Sequence, residues 1–125
     1  MNKTEMLKKN YEFKKVLTKG KFFTKKILEI VILRNNKNVN FLGIAVSTKN
    51  GKAFQRNRAK RLIRECYKSL EPELICWNSI IILFRKNFKI ENIKFKDIFD
   101  EMKDIFEDAK ILKKEEEIWK KSVYF

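Results

Sequence analysis

"KNGKAFQRNRAKRLIRECYK", residues 49–68, holds six arginines and lysines between Arg56 and Lys68. Like charges repel, so a helix that crowds them together needs a reason. At about 100° per residue, residues 53–70 divide into two faces. Ala59, Leu62, Ile63, Cys66, Tyr67 and Leu70 fall on one arc, in the i, i+3, i+4, i+7 spacing of a core-facing stripe. Arg56, Asn57, Lys60, Arg61, Arg64 and Lys68 fall on the other, with Arg58 near the border. A merely solvated face mixes signs, because like pairs at i, i+4 destabilise a helix by about 0.2–0.5 kcal/mol each. Here Arg56, Lys60, Arg64 and Lys68 form successive like pairs, and Glu65 is the only acid among them. That pattern favours an external polyanion. Bound phosphates would be neutralised with release of counterions, and arginine adds planar forks that fit them. Asn57 both donates and accepts, which suits a sugar hydroxyl, a base edge or a metal-bound water.

The whole chain follows the same bias. It has 125 residues, is 44% hydrophobic with 11 phenylalanines, and carries a formal net charge of +14. The length fits a single domain over residues 1–125 with one core. The charge points to nucleic acid first and an anionic membrane second. Residues 1–90 hold 22 basic and 6 acidic side chains, and residues 91–125 hold 8 and 10. The cationic surface therefore belongs to the first three quarters, ahead of an acidic, helical C-terminal part. No run of roughly 18 apolar residues offers a membrane span, and "MNKTEMLKKNYEF" lacks a signal peptide's apolar centre. Histidine is absent, which removes the commonest general base and metal ligand. Two cysteines, Cys66 and Cys76, make neither a zinc site nor a secreted disulfide framework. A reducing cytoplasm is the simplest reading. The heavy use of Lys, Ile and Asn reads as genome base composition.

Periodicity predicts a first helix over residues 4–20, with Phe13, Val16 and Leu17 on one face and Gly20 as its stop. "KKILEIVILR" (residues 25–34) and "FLGIAVST" (41–48) read as strands around the turn cluster "NNKNVN". The basic helix ends near Leu70, ahead of Pro72. "SIIILFRK" (79–86) is a third strand, apolar enough to be buried on both faces. Phe95, Ile98, Phe99, Met102, Ile105, Phe106 and Ala109 space a further helix, and a short last one is expected over residues 113–121. The order is α-β-β-α-β-α-α, with room for a small extra strand near residues 73–77. The fold class is α+β around a small central sheet.

Strand alternation adds a second surface. Leu42, Ile44 and Val46 point one way, and Phe41, Gly43, Ala45 and Ser47 the other. The small residues on that second face let a ligand's bases approach the backbone. Ile81, Leu83 and Arg85 share a face, as do Glu29, Val31 and Leu33. If the first helix packs beside this surface, Phe13 and Leu17 line a cleft with Val31, Ala45, Ser47 and Arg85. Phe13 is then either a core aromatic or a ring that stacks on an unpaired base.

"RNRAKRLIRE" (residues 56–65) resembles the RNR motif of the bacterial ribonuclease P protein component. "VSTKNGKAFQ" resembles that family's lead-in to the motif, "YEFKKVLTKGK" its N-terminal Phe-x-x-Val-x-x-x-Gly segment, and "SIIILFRK" its strand ending in arginine. The resemblance covers roughly residues 7–89. It implies a compact α/β sandwich whose basic helix lies in a left-handed βαβ crossover, similar to a ribosomal-protein-like fold. It also implies the protein subunit of a ribonucleoprotein hydrolase that removes the 5′ leader of precursor tRNA. Catalysis and magnesium then belong to a catalytic RNA subunit, and no side chain of the protein cleaves. Lys49, Lys52, Arg56, Asn57, Arg58, Lys60, Arg61, Arg64 and Lys68 are the expected RNA-binding set. The cleft of Phe13, Leu17, Val31, Ala45, Ser47 and Arg85 is the expected leader site. No intrinsic metal, small-molecule cofactor or membrane is expected. The chain departs from the family pattern at Lys52, where asparagine is usual, and at Thr48, where the first of two lysines is usual.

The other readings weighed are a ribosomal or similar RNA-binding component, a protein-only nuclease and a membrane-surface protein. Absence of histidine disfavours the second, and an apolar stripe narrow enough to be consumed by one core disfavours the third. Cys66, Trp77 and Trp119 read as packing residues. Asp97, Asp100, Glu101, Asp104, Glu107 and Asp108 read as a solvated helix face.

Overall fold

The computed structural model describes residues 3–113. In chain order it contains β1 (Thr4–Met6), α1 (Asn10–Lys19), β2 (Lys21–Thr24), β3 (Leu28–Arg34), β4 (Asn40–Ala45), α2 (Ala53–Leu70), β5 (Asn78–Phe84) and α3 (Phe95–Asp108). A short 3-10 turn, Glu71–Glu73, follows α2 and carries Pro72. The five strands form one sheet in the order β1-β4-β5-β3-β2. The β1–β4 and β4–β5 pairs are parallel, and the β5–β3 and β3–β2 pairs antiparallel. Adjacent parallel strands β4 and β5 are joined through α2, so the basic helix is the crossover of a βαβ unit.

The α+β sandwich expected from the sequence is the observed architecture. One face of the sheet contributes Leu28, Ile30, Leu42, Ile80 and Ile82 to a core completed by Ala59, Ile63, Cys66, Tyr67 and Leu70 of α2 and Ile98, Met102, Ile105 and Phe106 of α3. The other face buries Val31 and Ile81 beneath α1 with Val16 and Leu7. The run in β5 is therefore buried alternately on both sides, as its apolar continuity predicts. Tyr67 meets Phe106 edge to face at 6.3 Å, and its hydroxyl shares a 2.8 Å hydrogen bond with Thr4 Oγ1, which ties β1 to α2.

Four readings are corrected. Residues 4–6 are a parallel edge strand, and α1 begins only at Asn10, where Glu12 Oε1 accepts from the Lys9 amide at 3.0 Å. A three-residue edge strand is too short to show a period, so the adjoining helical pattern absorbed it. "KFFT" of β2 was unread for the same reason. The residues between β2 and β3 form a turn whose Ile27 and Leu28 amides donate to Glu101 of α3. Near residues 73–77 there is a single antiparallel bridge, Leu74 to Leu112. Trp77 is 41% exposed at φ 82° and packs in neither core. Trp119 and the expected last helix lie outside the described residues.

Phe13 settles on Gly43. A Cβ added at Gly43 would lie 2.6 Å from Phe13 Cε1, 2.8 Å from Cζ and 3.1 Å from Leu7 Cδ1. Gly43→Ala is therefore expected to destabilise the protein by about 1–3 kcal/mol through overpacking, read as a lower urea midpoint. Much of that loss should disappear in a Phe13→Leu background, where the facing ring is gone.

Candidate nucleic-acid interface

The interface begins in the loop between β4 and α2. Asn50 is buried, and every polar atom of its side chain is used. Its Oδ1 accepts from the Ser47 amide at 3.0 Å, and its Nδ2 donates to the carbonyls of Arg85 at 3.1 Å and Phe88 at 2.8 Å. The Ile90 amide donates to the Asn50 carbonyl at 3.2 Å. One asparagine thus clamps the loop before α2 to the loop after β5. Lys89 Nζ reinforces the join by donating to the Lys49 carbonyl at 2.9 Å. At the helix start, Gln55 Oε1 accepts from the Lys52 amide at 2.8 Å. Arg56 folds back so that Nη1 donates to the Gly51 carbonyl at 2.8 Å.

From this anchored start, α2 carries its charges outward. Asn57, Arg58, Arg61, Arg64 and Lys68 are exposed, while Arg56 and Lys60 are half-buried. Arg56 therefore serves the loop geometry as well as the surface. Ala59, Ile63, Cys66, Tyr67 and Leu70 are buried as the stripe predicts, and Leu62 is half-buried. Among the described residues, the ion pairs are Lys25 with Asp108 at 3.1 Å and Lys96 with Asp100 at 3.4 Å. Neither involves α2, so among the described residues its cations form no ion pair. The Asp108 carboxylate holds the Lys25 ammonium above its ordinary pKa. Burial pushes the Cys66 thiol up to about 12, so it stays protonated near neutrality and is no nucleophile.

The expected cleft is partly assembled. Phe13 is half-buried, with the Cε1–Cζ edge of its ring against Gly43, and Leu17 is 37% exposed on the same helix. The ladder sets Gly43 beside Ile81 and Ala45 beside Leu83, so Ala45 continues the surface beyond the ring toward Ser47 and Arg85. Ala45 is half-buried, and Ser47 and Arg85 are exposed. Val31 is the exception. It is fully buried beneath α1 and forms the floor of the cleft, out of a ligand's reach. The Ser47 hydroxyl is already engaged as acceptor for the Lys49 amide at 3.1 Å, an ST-turn that shapes the loop. The strip and the start of α2 therefore meet at the carboxyl ends of β4 and β5.

Two residues at this junction escaped the sequence reading. Asn50 carries no local pattern of its own, and only its burial and its partners reveal the clamp. Lys89 lies 40 positions from Lys49, a separation no local pattern crosses. Together Lys49, Lys52 and Lys89 line one depression with Thr48, Gly51 and Glu91.

A small basic α+β sandwich with an unpaired cationic helix in a parallel crossover is the build of an RNA-binding protein. Comparisons with known proteins agree. The ribonuclease P family model matches residues 1–110. The ribonuclease P protein component of Clostridioides difficile (strain 630) is 41% identical over 98 residues, covering 78% of this chain and 84% of that protein. That of Natranaerobius thermophilus is 36% identical over 85 residues, covering 68% and 74%. The solved Staphylococcus aureus RNase P protein superimposes with a TM-score of 0.75 at 27% identity, covering 86% of this chain and 96% of that one. The Thermotoga maritima RNase P protein shares the fold with a TM-score of 0.72 at 24% identity, covering 80% and 93%. The chain belongs to the ribonuclease P protein family. It is a protein subunit of the ribonucleoprotein endonuclease of tRNA processing, and the ribosomal reading is set aside.

Asn50→Ala is expected to leave the Ser47 amide without its side-chain acceptor and the Arg85 and Phe88 carbonyls without their side-chain donor. The cost should be about 2 kcal/mol or more, seen as a lower thermal midpoint. Amide exchange should accelerate first at Ser47 and Ile90.

Proposed function

We propose that the outer face of α2 binds the catalytic RNA subunit, and that the strip from Phe13 to Ser47 holds the unpaired 5′ leader of precursor tRNA. The observation that carries this reading is the exposed row Arg58, Arg61, Arg64 and Lys68, which meets no carboxylate of the protein among the described residues. Lys49, Lys52, Lys60 and Asn57 extend that row, and Arg56 holds its loop. Two RNA molecules repel each other through their phosphates. Lysines and arginines placed at the junction lower that repulsion and release counterions, which tightens substrate binding without any bond being cleaved by the protein.

The strip suits single-stranded RNA. From Gly43 to Ser47 it runs about 13 Å at the usual strand rise, with a ring at one end and small residues beyond it. A base can lie on the Phe13 edge while its backbone passes Ala45 toward Arg85. Magnesium supports leader removal and belongs to the RNA in this reading. Magnesium takes oxygen ligands in octahedral geometry, and the outer face of α2 offers chiefly ammonium and guanidinium groups. Glu91 is the lone carboxylate lining the depression at the helix start. The protein's residues thus do not fit a dedicated magnesium site, and their part is binding and positioning. The chain acts as one RNA-binding domain, and its two free cysteines support a reducing, cytoplasmic setting.

Purified protein added to the catalytic RNA is expected to restore precursor-tRNA cleavage at low magnesium, and failure to do so overturns the reading. Arg61→Ala and Arg64→Ala should each weaken binding to that RNA and flatten the salt slope by about one phosphate. An unchanged slope would remove α2 as the contact surface.

The leader site has its own measurement. Phe13→Ala should weaken binding of precursor tRNA more than binding of mature tRNA, with Phe13→Leu as the variant that keeps apolar contact with Gly43. Equal losses for both RNAs would show that the cleft does not hold the leader.

A further inference from the structure

The first turn of α2 displays an aromatic ring that neither core uses. Phe54 is 67% exposed. Among the described residues no other ring and no cation covers it, in contrast to Phe95, which stacks on Phe99 at 5.6 Å, and Tyr11, which lies under Lys9 Nζ at 5.8 Å. A ring this exposed buries little area, so it adds little to the stability of the isolated protein. Single exposed apolar residues are common on protein surfaces, and position separates this one from the rest. Tyr11, Leu17, Phe22 and Phe95 lie on other elements and Ile75 and Trp77 in the connection before β5, whereas Phe54 stands within the cationic face.

Helical phase defines its neighbours. At about 100° per residue, Arg58 lies about 40° and Arg61 about 20° from Phe54 around the axis. Both are exposed. Side chains on a helix lean toward its N-terminus, so Arg58 leans over the turn that carries the ring. One stripe therefore offers a bare aromatic face followed by two guanidinium forks. That combination fits an unpaired nucleotide, whose base stacks on the ring while flanking phosphates meet the arginines. The stripe is on α2, which packs on the sheet face opposite α1, so it begins where the leader strip ends but belongs to the other side of the sheet.

We propose that Phe54 is a stacking platform for an unpaired base of the RNA subunit, set in place by α2 so that Arg58 and Arg61 take the adjoining phosphates. The proposal rests on the reading of α2 as the surface for that RNA. It adds a contact of different physical character. Stacking releases no counterions, so its loss changes affinity without changing salt dependence.

The test uses the full chain, the purified catalytic RNA and binding measured over a range of salt. Phe54→Ala is expected to weaken binding about tenfold with an unchanged salt slope and an unchanged thermal midpoint. Phe54→Leu, which keeps apolar bulk but has no π face, should be similarly weakened, and Phe54→Trp should bind as well as wild type. Arg61→Ala serves as the internal reference, with its slope flattened by about one. If Phe54→Ala or Phe54→Leu binds like wild type while Arg61→Ala flattens the slope, the stacking platform is wrong and the α2 surface stands. A Phe54→Ala loss accompanied by a flattened slope also overturns it. If Arg61→Ala changes nothing, the underlying assignment of α2 fails, and the stacking proposal fails with it.

Discussion

Burial of one side of α2 is the constraint on which the rest depends. Ala59, Ile63, Cys66, Tyr67 and Leu70 are all within the core. Each large side chain contributes about 1.5–3 kcal/mol on leaving water. The three like-charge pairs along Arg56, Lys60, Arg64 and Lys68 oppose this by about 0.2–0.5 kcal/mol each. The apolar term wins by a wide margin, so the helix forms and docks in spite of its own repulsion. Docking then leaves the cations no choice of direction, and Arg58, Arg61, Arg64 and Lys68 face water. A polyanion bound along this face would relieve that repulsion.

Among the described residues, the ion pairs formed by the acids leave α2 out. Asp108 pairs with Lys25, Asp100 with Lys96 of its own helix, and Glu101 accepts from the amides of Ile27 and Leu28. The acidic face of α3, read as merely solvated, in part holds the β2–β3 turn. Were those carboxylates within reach of Arg61 or Arg64, internal pairs would compete with phosphates for the same forks.

Asparagines do the fine positioning. Asn50 joins two loops through three side-chain hydrogen bonds. Asn40 Oδ1 accepts from the Asn78 amide at 2.9 Å, where β4 and β5 begin side by side. Asn35 Nδ2 donates to the Val39 carbonyl at 3.3 Å and to Ser79 Oγ at 3.2 Å, and its Oδ1 accepts from the Lys37 amide at 2.8 Å. A buried amide side chain costs free energy unless its partners are supplied. These loops are therefore specified by satisfied polar groups, because they carry too few apolar residues to be specified by packing. What looked like base composition in the sequence is, at these positions, structure.

The sequence by itself determined the two faces of α2, the alternation of β3, β4 and β5, the helical spacing of α3 and the segregation of charge. Each is a local period of about 2 or 3.6 residues, long enough to be read within one segment. The RNR stretch and its flanks also resembled a family to which the chain belongs. β1 and β2 were beyond that reading, since a strand of three or four residues is defined by its neighbour and not by its own pattern. The seat of Phe13 on Gly43, the burial of Val31, the Asn50 clamp and the approach of Lys89 to Lys49 join residues far apart in the chain, 35 positions for Asn50 and Arg85 and 40 for Lys49 and Lys89. Only the tertiary structure decided them, because such contacts are selected by the docking of whole elements, and no local propensity records which elements meet.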